Sequence, residues 1–222
     1  MKLVYPDWKT NIEFSEEHVQ ILNLENPSYY ARIIQELLIQ QQTGIGRFVV
    51  SEGDKIYDLS KICEIIVSPF SLDFDNKKIQ AAIIKQLVQV ANEDEYVETK
   101  ELSGKILQYM YRLTDYLNVD ITMDEEVDLA QVMKAVGVKI AQDGENLASR
   151  LIDYLFLIRS LFHTELIIGV NFKAYFSQEE LALIYETVLL RKIPLLLLES
   201  VPRNDKINCE NWLTIDADLC EI

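Results

Sequence analysis

Residues 120 to 128 read Asp120-Ile-Thr-Met-Asp124-Glu125-Glu126-Val-Asp128, with a carboxylate at five of nine positions. Hard oxygen donors at this density are what Ca²⁺ takes, roughly six to eight at a time. The match to a calcium loop of the helix–loop–helix kind is poor, because the internal glycine and the terminal glutamate are missing. The plainer reading is a solvated helix start whose acids favour the positive end of the helix dipole. Spacing leaves both readings open.

Basic residues are the second chemistry. Arg47, Lys55, Lys77, Lys78, Lys85, Lys134, Lys139 and Lys173 are scattered between the acidic runs. Lys173 stands out because it falls just beyond an apolar run, where parallel α/β sheets present ligands. Nucleophilic and metal chemistry find little support. His18 and His163 are the only histidines and neither lies beside a cysteine, so a Cys/His zinc site is excluded on spacing. There is no GxSxG elbow. Gly44-Ile-Gly46 is the one close glycine pair, but it follows a helical pattern and precedes a strand pattern, the reverse of a phosphate-cradling loop.

The elements that must position these groups are legible from periodicity. Ile167, Ile168 and Val170 form one apolar run and Ile193 to Leu198 another. Between them Ser177 and Glu180 spell a capping box ahead of LALIYETVLL. Strand, helix and strand in so short a span predict a right-handed crossover and a parallel pair. Nearer the amino terminus, His18 to Leu24 is a strand candidate, and Asn26-Pro27 opens a helix through SYYARIIQELLIQQQ. A hairpin is expected around Glu52-Gly53-Asp54-Lys55, and Ile62 to Val67 is a further strand. From Asp75 to Leu117 there is no proline and one glycine, and apolar residues recur at helical spacing, which predicts two long paired helices. Shorter helices follow at Val127–Val136 and Asn146–Phe162. The plan is an α/β body from residues 1–75 and 140–222 with a helical insertion over 76–139.

A nucleotide-binding α/β body needs glycines and a lysine after its first buried strand. Here that place holds Glu25-Asn26-Pro27-Ser28, and Glu25 repels a triphosphate. The scaffold is present without its phosphate chemistry. The formal net charge of -15 argues against nucleic acid in total, since phosphate contacts rest on Lys and Arg, but leaves room for a local basic face. No apolar run approaches the ~20 residues of a membrane span. MKLVYPDWKTNIEF has no long apolar centre of a signal peptide. Cys63, Cys209 and Cys220 lack CxxC spacing and read as free thiols of a reducing cytoplasm.

The segments LENPSYYARIIQ, LAQVMKAVGVKI and LIIGVNFKAYFSQEELALIYE, followed by LLLLES, resemble in order the short form of the Csn-two family, the adaptation protein of type II-A CRISPR systems. The likeness spreads over nearly the whole chain and rests on no catalytic signature. It implies a degenerate P-loop-NTPase-like α/β head with parallel strands, carrying an inserted α-helical leg. It also implies a non-enzymatic homotetrameric ring that threads duplex DNA ends without regard to sequence, depends on calcium, and supports spacer acquisition beside the CRISPR integrase complex and the RNA-guided effector nuclease. By the same resemblance Asp120, Asp124, Glu125, Glu126 and Asp128 are the expected calcium ligands, although spacing before LAQVMKAVGVKI departs from the family by about a residue. Lys134, Lys139 and Lys173 are the expected DNA contacts, and the setting is cytoplasmic, with no membrane. Two alternatives stand beside this: a nucleotide-dependent enzyme on a P-loop-like fold, and a protein-interaction scaffold that does not touch DNA.

Overall fold

The structure is a computed structural model and describes residues 1–141, 144, 146–201 and 206–222. It divides into two compact units, one built from Met1–Leu72 and Asp143–Ile222, the other from Asp73–Gln142. The first is α/β. Its elements begin β1 (Lys2–Val4), β2 (Ile12–Glu13), β3 (Val19–Leu24), α1 (Pro27–Thr43), β4 (Val49–Glu52), β5 (Lys55–Tyr57), α2 (Leu59–Ile62) and β6 (Cys63–Ile66). The second unit is helical, with α3 (Lys77–Glu93), α4 (Tyr96–Thr114) and α5 (Leu129–Ala135). The chain then returns to the first unit as α6 (Leu147–Phe162), β7 (Leu166–Val170), α7 (Phe172–Tyr175), α8 (Gln178–Leu190), β8 (Leu195–Glu199) and β9 (Glu210–Ile215).

Five strands form a parallel sheet in the order β6-β7-β8-β3-β9. A small antiparallel sheet runs β2-β1-β4-β5. Parallel strands must be covered on both faces, and the central β7 (LIIGV) and β8 up to Leu198 are accordingly unbroken apolar runs. On one face Leu22, Leu24, Leu166, Ile168, Leu196 and Leu198 share a core with Ile33 and Leu37 of α1 and with Leu3 and Val50 of the small sheet. The other face carries Ile21, Ile167, Leu195 and Leu197, all buried, and α6 and α8 bury Leu151, Leu155, Ile184 and Val188. The expected β7–α8–β8 crossover is present, with Ile167 to Val170 paired in parallel to Leu195 to Leu198. Its capping box forms in both directions: the Ser177 hydroxyl accepts from the Glu180 amide at 3.2 Å, and the Glu180 carboxylate from the Ser177 amide at 2.8 Å.

The glycine pair acts as a helix stop. Gly44 takes the left-handed conformation that ends α1, with φ at 73°. Gly46 is needed for a different reason. The buried Gln40 amide donates to the Phe48 carbonyl at 2.7 Å and accepts from the Phe48 N–H at 2.9 Å, and a Cβ on Gly46 would collide with the Gln40 side chain. Those bonds fix Phe48 against Tyr5 and Trp8, with ring centroids 4.5 Å and 5.8 Å away. Gly46→Ala should therefore cost about 1–3 kcal/mol by evicting Gln40 from two buried hydrogen bonds. Urea unfolding measures it. A Gly46→Ala protein as stable as the parent would mean that Gln40 has another place to go.

In the helical unit Asn76 caps α3 by accepting from the Ile79 amide at 2.9 Å. Ile79 and Ile84 are the buried residues of α3 and α4 buries none. Leu102, Tyr109 and Leu113 of α4 are all about half exposed, and their spacing puts them on one helix face. Among the described residues, no helix is long and apolar enough to cross a membrane.

Candidate nucleic-acid interface

Three places were expected to carry chemistry: the turn after β3, the acidic stretch before α5, and the lysines.

After β3 only Glu25 and Asn26 separate the strand from α1. The Asn26 carboxamide accepts from the Tyr29 amide at 3.1 Å and donates to the Ala217 carbonyl at 3.0 Å. The Glu25 amide donates to the Ile215 carbonyl at 3.0 Å. A phosphate cradle needs several free N–H groups in a loop that opens onto a helix. This turn is two residues long, its Glu25 amide and Asn26 side chain are engaged within the protein, and Pro27 has no N–H to offer. The likeness to a nucleotide-binding head extends to the parallel α/β architecture and stops short of a phosphate loop.

Asp120, Asp124, Glu125, Glu126 and Asp128 lie on irregular chain leading into α5, all exposed. Asp128 is the N-cap of α5, accepting from the Gln131 amide at 3.1 Å and from the Gln131 side chain at 2.9 Å. Those bonds, the backbone one first, hold the Asp128 carboxyl below the usual carboxylate range. A depressed folded-state pKa stabilises above the unfolded value, and that contribution fades as the pH falls through the folded one. Glu126 pairs with Lys100 at 3.5 Å. Among the described residues, no group of three or more His, Cys, Asp or Glu is placed to hold a metal ion. Calcium wants about six or more converging oxygens, and as placed these residues do not fit it. Glu125→Ala with Glu126→Ala should accordingly leave any calcium-dependent change in melting temperature as it is in the parent. A calcium-induced rise that the double variant loses would show that these carboxylates do gather on an ion.

Of the three lysines expected to meet DNA, the structure brings two together and turns the third inward. Lys134 sits in the last turn of α5, and Lys139 follows Gly137, whose φ of 73° turns the chain back. Both line a cleft of about 540 Å³ together with Lys77 from the first turn of α3, and with Asp75, Gln80, Ala81 and Ile84. All three lysines are exposed. The cleft exists because α5 packs on α3. Three lysines against one aspartate among its lining residues make it locally basic on an acidic chain, and Ala81, Ile84 and Val138 give it an apolar part.

Lys173 does lie just past β7, but its side chain is 2% exposed and its ammonium sits 2.5 Å from Glu210, which is 0% exposed. Glu210 also accepts from the Tyr185 hydroxyl at 2.9 Å, the Trp212 indole at 2.9 Å and the Ile207 amide at 3.1 Å. Burial first, and then the Glu210 charge, push the Tyr185 hydroxyl well above the ordinary phenol range, so it stays a donor. The Lys173 ammonium lies 4.7 Å from the Trp212 ring centre, and Lys173 N–H donates to Glu199 at 3.1 Å. The expectation that Lys173 contacts DNA is corrected here: its charge is consumed inside the head, where a phosphate has no access. Glu210 was not foreseen. Its only signal in the sequence is that it opens the alternating segment ENWLTI.

A family model described as CRISPR-associated protein (Cas_Csn2) matches residues 40–219. The chain belongs to this family. The matched span takes in α3 to α5 and the β7–α8–β8 crossover, so it covers the helical unit and most of the α/β unit, leaving out β1 to β3. No curated protein matches the chain. For a Csn2 protein, the cleft of Lys77, Lys134 and Lys139 is the place among the described residues where the lysines singled out by sequence converge.

Proposed function

We propose that this Csn2-family protein is a non-enzymatic binder of duplex DNA that serves spacer acquisition in CRISPR immunity. It would act as a homotetramer beside the CRISPR integrase complex and the RNA-guided effector nuclease, in the cytoplasm. The observation that carries the proposal is the convergence of Lys77, Lys134 and Lys139 on one exposed cleft. Lysines bind phosphate as point charges without reading bases, so the contact positions DNA and carries no sequence information. The two-residue turn after β3 supports the non-enzymatic half of the reading, because it is too short to wrap a triphosphate and begins with the like charge of Glu25. Calcium comes into the picture through the family resemblance alone. The carboxylates as placed do not fit the ion, and no part of the proposed DNA contact passes through it.

The test is binding of one duplex in linear and in covalently closed form, at matched length and salt. If the assembly is a closed ring, linear DNA binds and the closed circle does not. Equal affinity for both forms would sink the threading part of the proposal, and no binding to either would sink the whole. A second reading, a protein-interaction scaffold, draws on α4, where Leu102, Tyr109 and Leu113 leave an apolar face open. It becomes the leading one if neither DNA form binds.

A further inference from the structure

We propose that Asn23 holds an internal water, bridged to Glu199 and Thr214, at the carboxyl end of the parallel sheet. Asn23 lies next to last in β3, an inner strand with β8 on one side and β9 on the other. It is 0% exposed. Both its carboxamide oxygen and its nitrogen are buried without a hydrogen-bond partner among the described residues. Its strand also contains Gln20, and the contrast is informative: Gln20 accepts from Asn211 at 2.9 Å, so the same chemistry one turn of the pleat away is satisfied.

The register shows what can satisfy Asn23. Its partner across β8 is Glu199 and its partner across β9 is Thr214. In-register residues of parallel strands point to the same face, with strands about 4.8 Å apart. The in-register pair Gln20 and Asn211 bonds directly, whereas the Asn23 carboxamide meets neither Glu199 nor Thr214, which leaves a water-bridged link to them. One Glu199 oxygen accepts from the Lys173 amide. A neutral carboxamide, a hydroxyl and a carboxylate together ask for a ligand that both donates and accepts. A buried water with two to four polar partners does this, at a frequency of about one per 27 residues in globular proteins.

The intact wild-type protein decides the matter in a crystal structure at a resolution that shows ordered solvent. A solvent peak within hydrogen-bond distance of the Asn23 carboxamide and of Glu199 or Thr214 is the expected result. A carboxamide bonded directly to protein groups, or no peak, overturns the proposal. So does anomalous signal at that point after exchange into rubidium, which would make the occupant a monovalent cation. Asn23→Leu adds an independent readout, since leucine is close in volume and cannot hold the water. The folding equilibrium constant should fall roughly ten-fold or more as the bridged groups lose their partner. A leucine variant as stable as the parent, or more so, would mean that Asn23 was merely an unsatisfied amide.

Discussion

Glu210→Ala is expected to lower the unfolding free energy by about 3–5 kcal/mol, the usual consequence of removing one member of a buried ion pair. The carboxylate is 0% exposed and meets four donors: the Lys173 ammonium, the Tyr185 hydroxyl, the Trp212 indole and the Ile207 amide. Alanine leaves an ammonium buried without its counter-charge and three donors without an acceptor, and each of these opposes folding. The site joins α7, α8 and β9, so the damage reaches three elements. Lys173→Met should cost less, because the Glu210 carboxylate it leaves without a counter-charge is still held by three donors. Combining Lys173→Met with Glu210→Gln should cost less than the sum of the two single changes, which marks a coupled pair. Denaturant unfolding of the single and double variants measures all of this. A Glu210→Ala protein within about 1 kcal/mol of the parent would show that solvent reaches the pair.

Lys77→Ala, Lys134→Ala and Lys139→Ala together are expected to flatten the salt dependence of duplex binding. Each lysine that neutralises a phosphate contributes about 0.9 to the slope of log affinity against log salt. The triple change should therefore remove between about one and three such increments, equally for every sequence. Lys173→Met is the internal control, because a lysine whose ammonium is buried against Glu210 releases no counterions from DNA. Filter binding or fluorescence anisotropy across a salt series reads both. An unchanged slope in the triple variant, or a reduced one in Lys173→Met, would relocate the interface.

The contrast between these lysines shows where sequence reading succeeded and where it ran out. Elements with strong local signals were legible. Asn26-Pro27 opens α1, Ser177 and Glu180 box the start of α8, and the apolar runs of β7 and β8 pair in parallel. Some boundaries moved: a four-residue turn was expected at Glu52–Lys55, but β4 and β5 close on Gly53 and Asp54 alone. β9 was missed because ENWLTI is only partly buried at the sheet edge and carries polar residues a core strand lacks. Without β9 there was no Glu210, and without Glu210 nothing distinguished an inward Lys173 from an outward one. Lys77 joined Lys134 and Lys139 for a related reason. Helical periodicity assigns a face to each residue, but which helix will lie against that face is settled by tertiary packing.

The sheet order has a bearing on how the protein is made. The β3 strand is synthesised early, yet both of its neighbours, β8 and β9, come from the last part of the chain, and Gln20 finds Asn211 191 residues away. A ribosome therefore releases this buried strand of the head long before anything exists to pair with it. The helical unit draws on one continuous stretch, Asp73–Gln142, and is free to form in the meantime. Contacts this distant in sequence close slowly, since the loop entropy must be met before the pairing rewards it. Until that happens, VQILNL is an unpaired apolar strand, open to aggregation or chaperone capture.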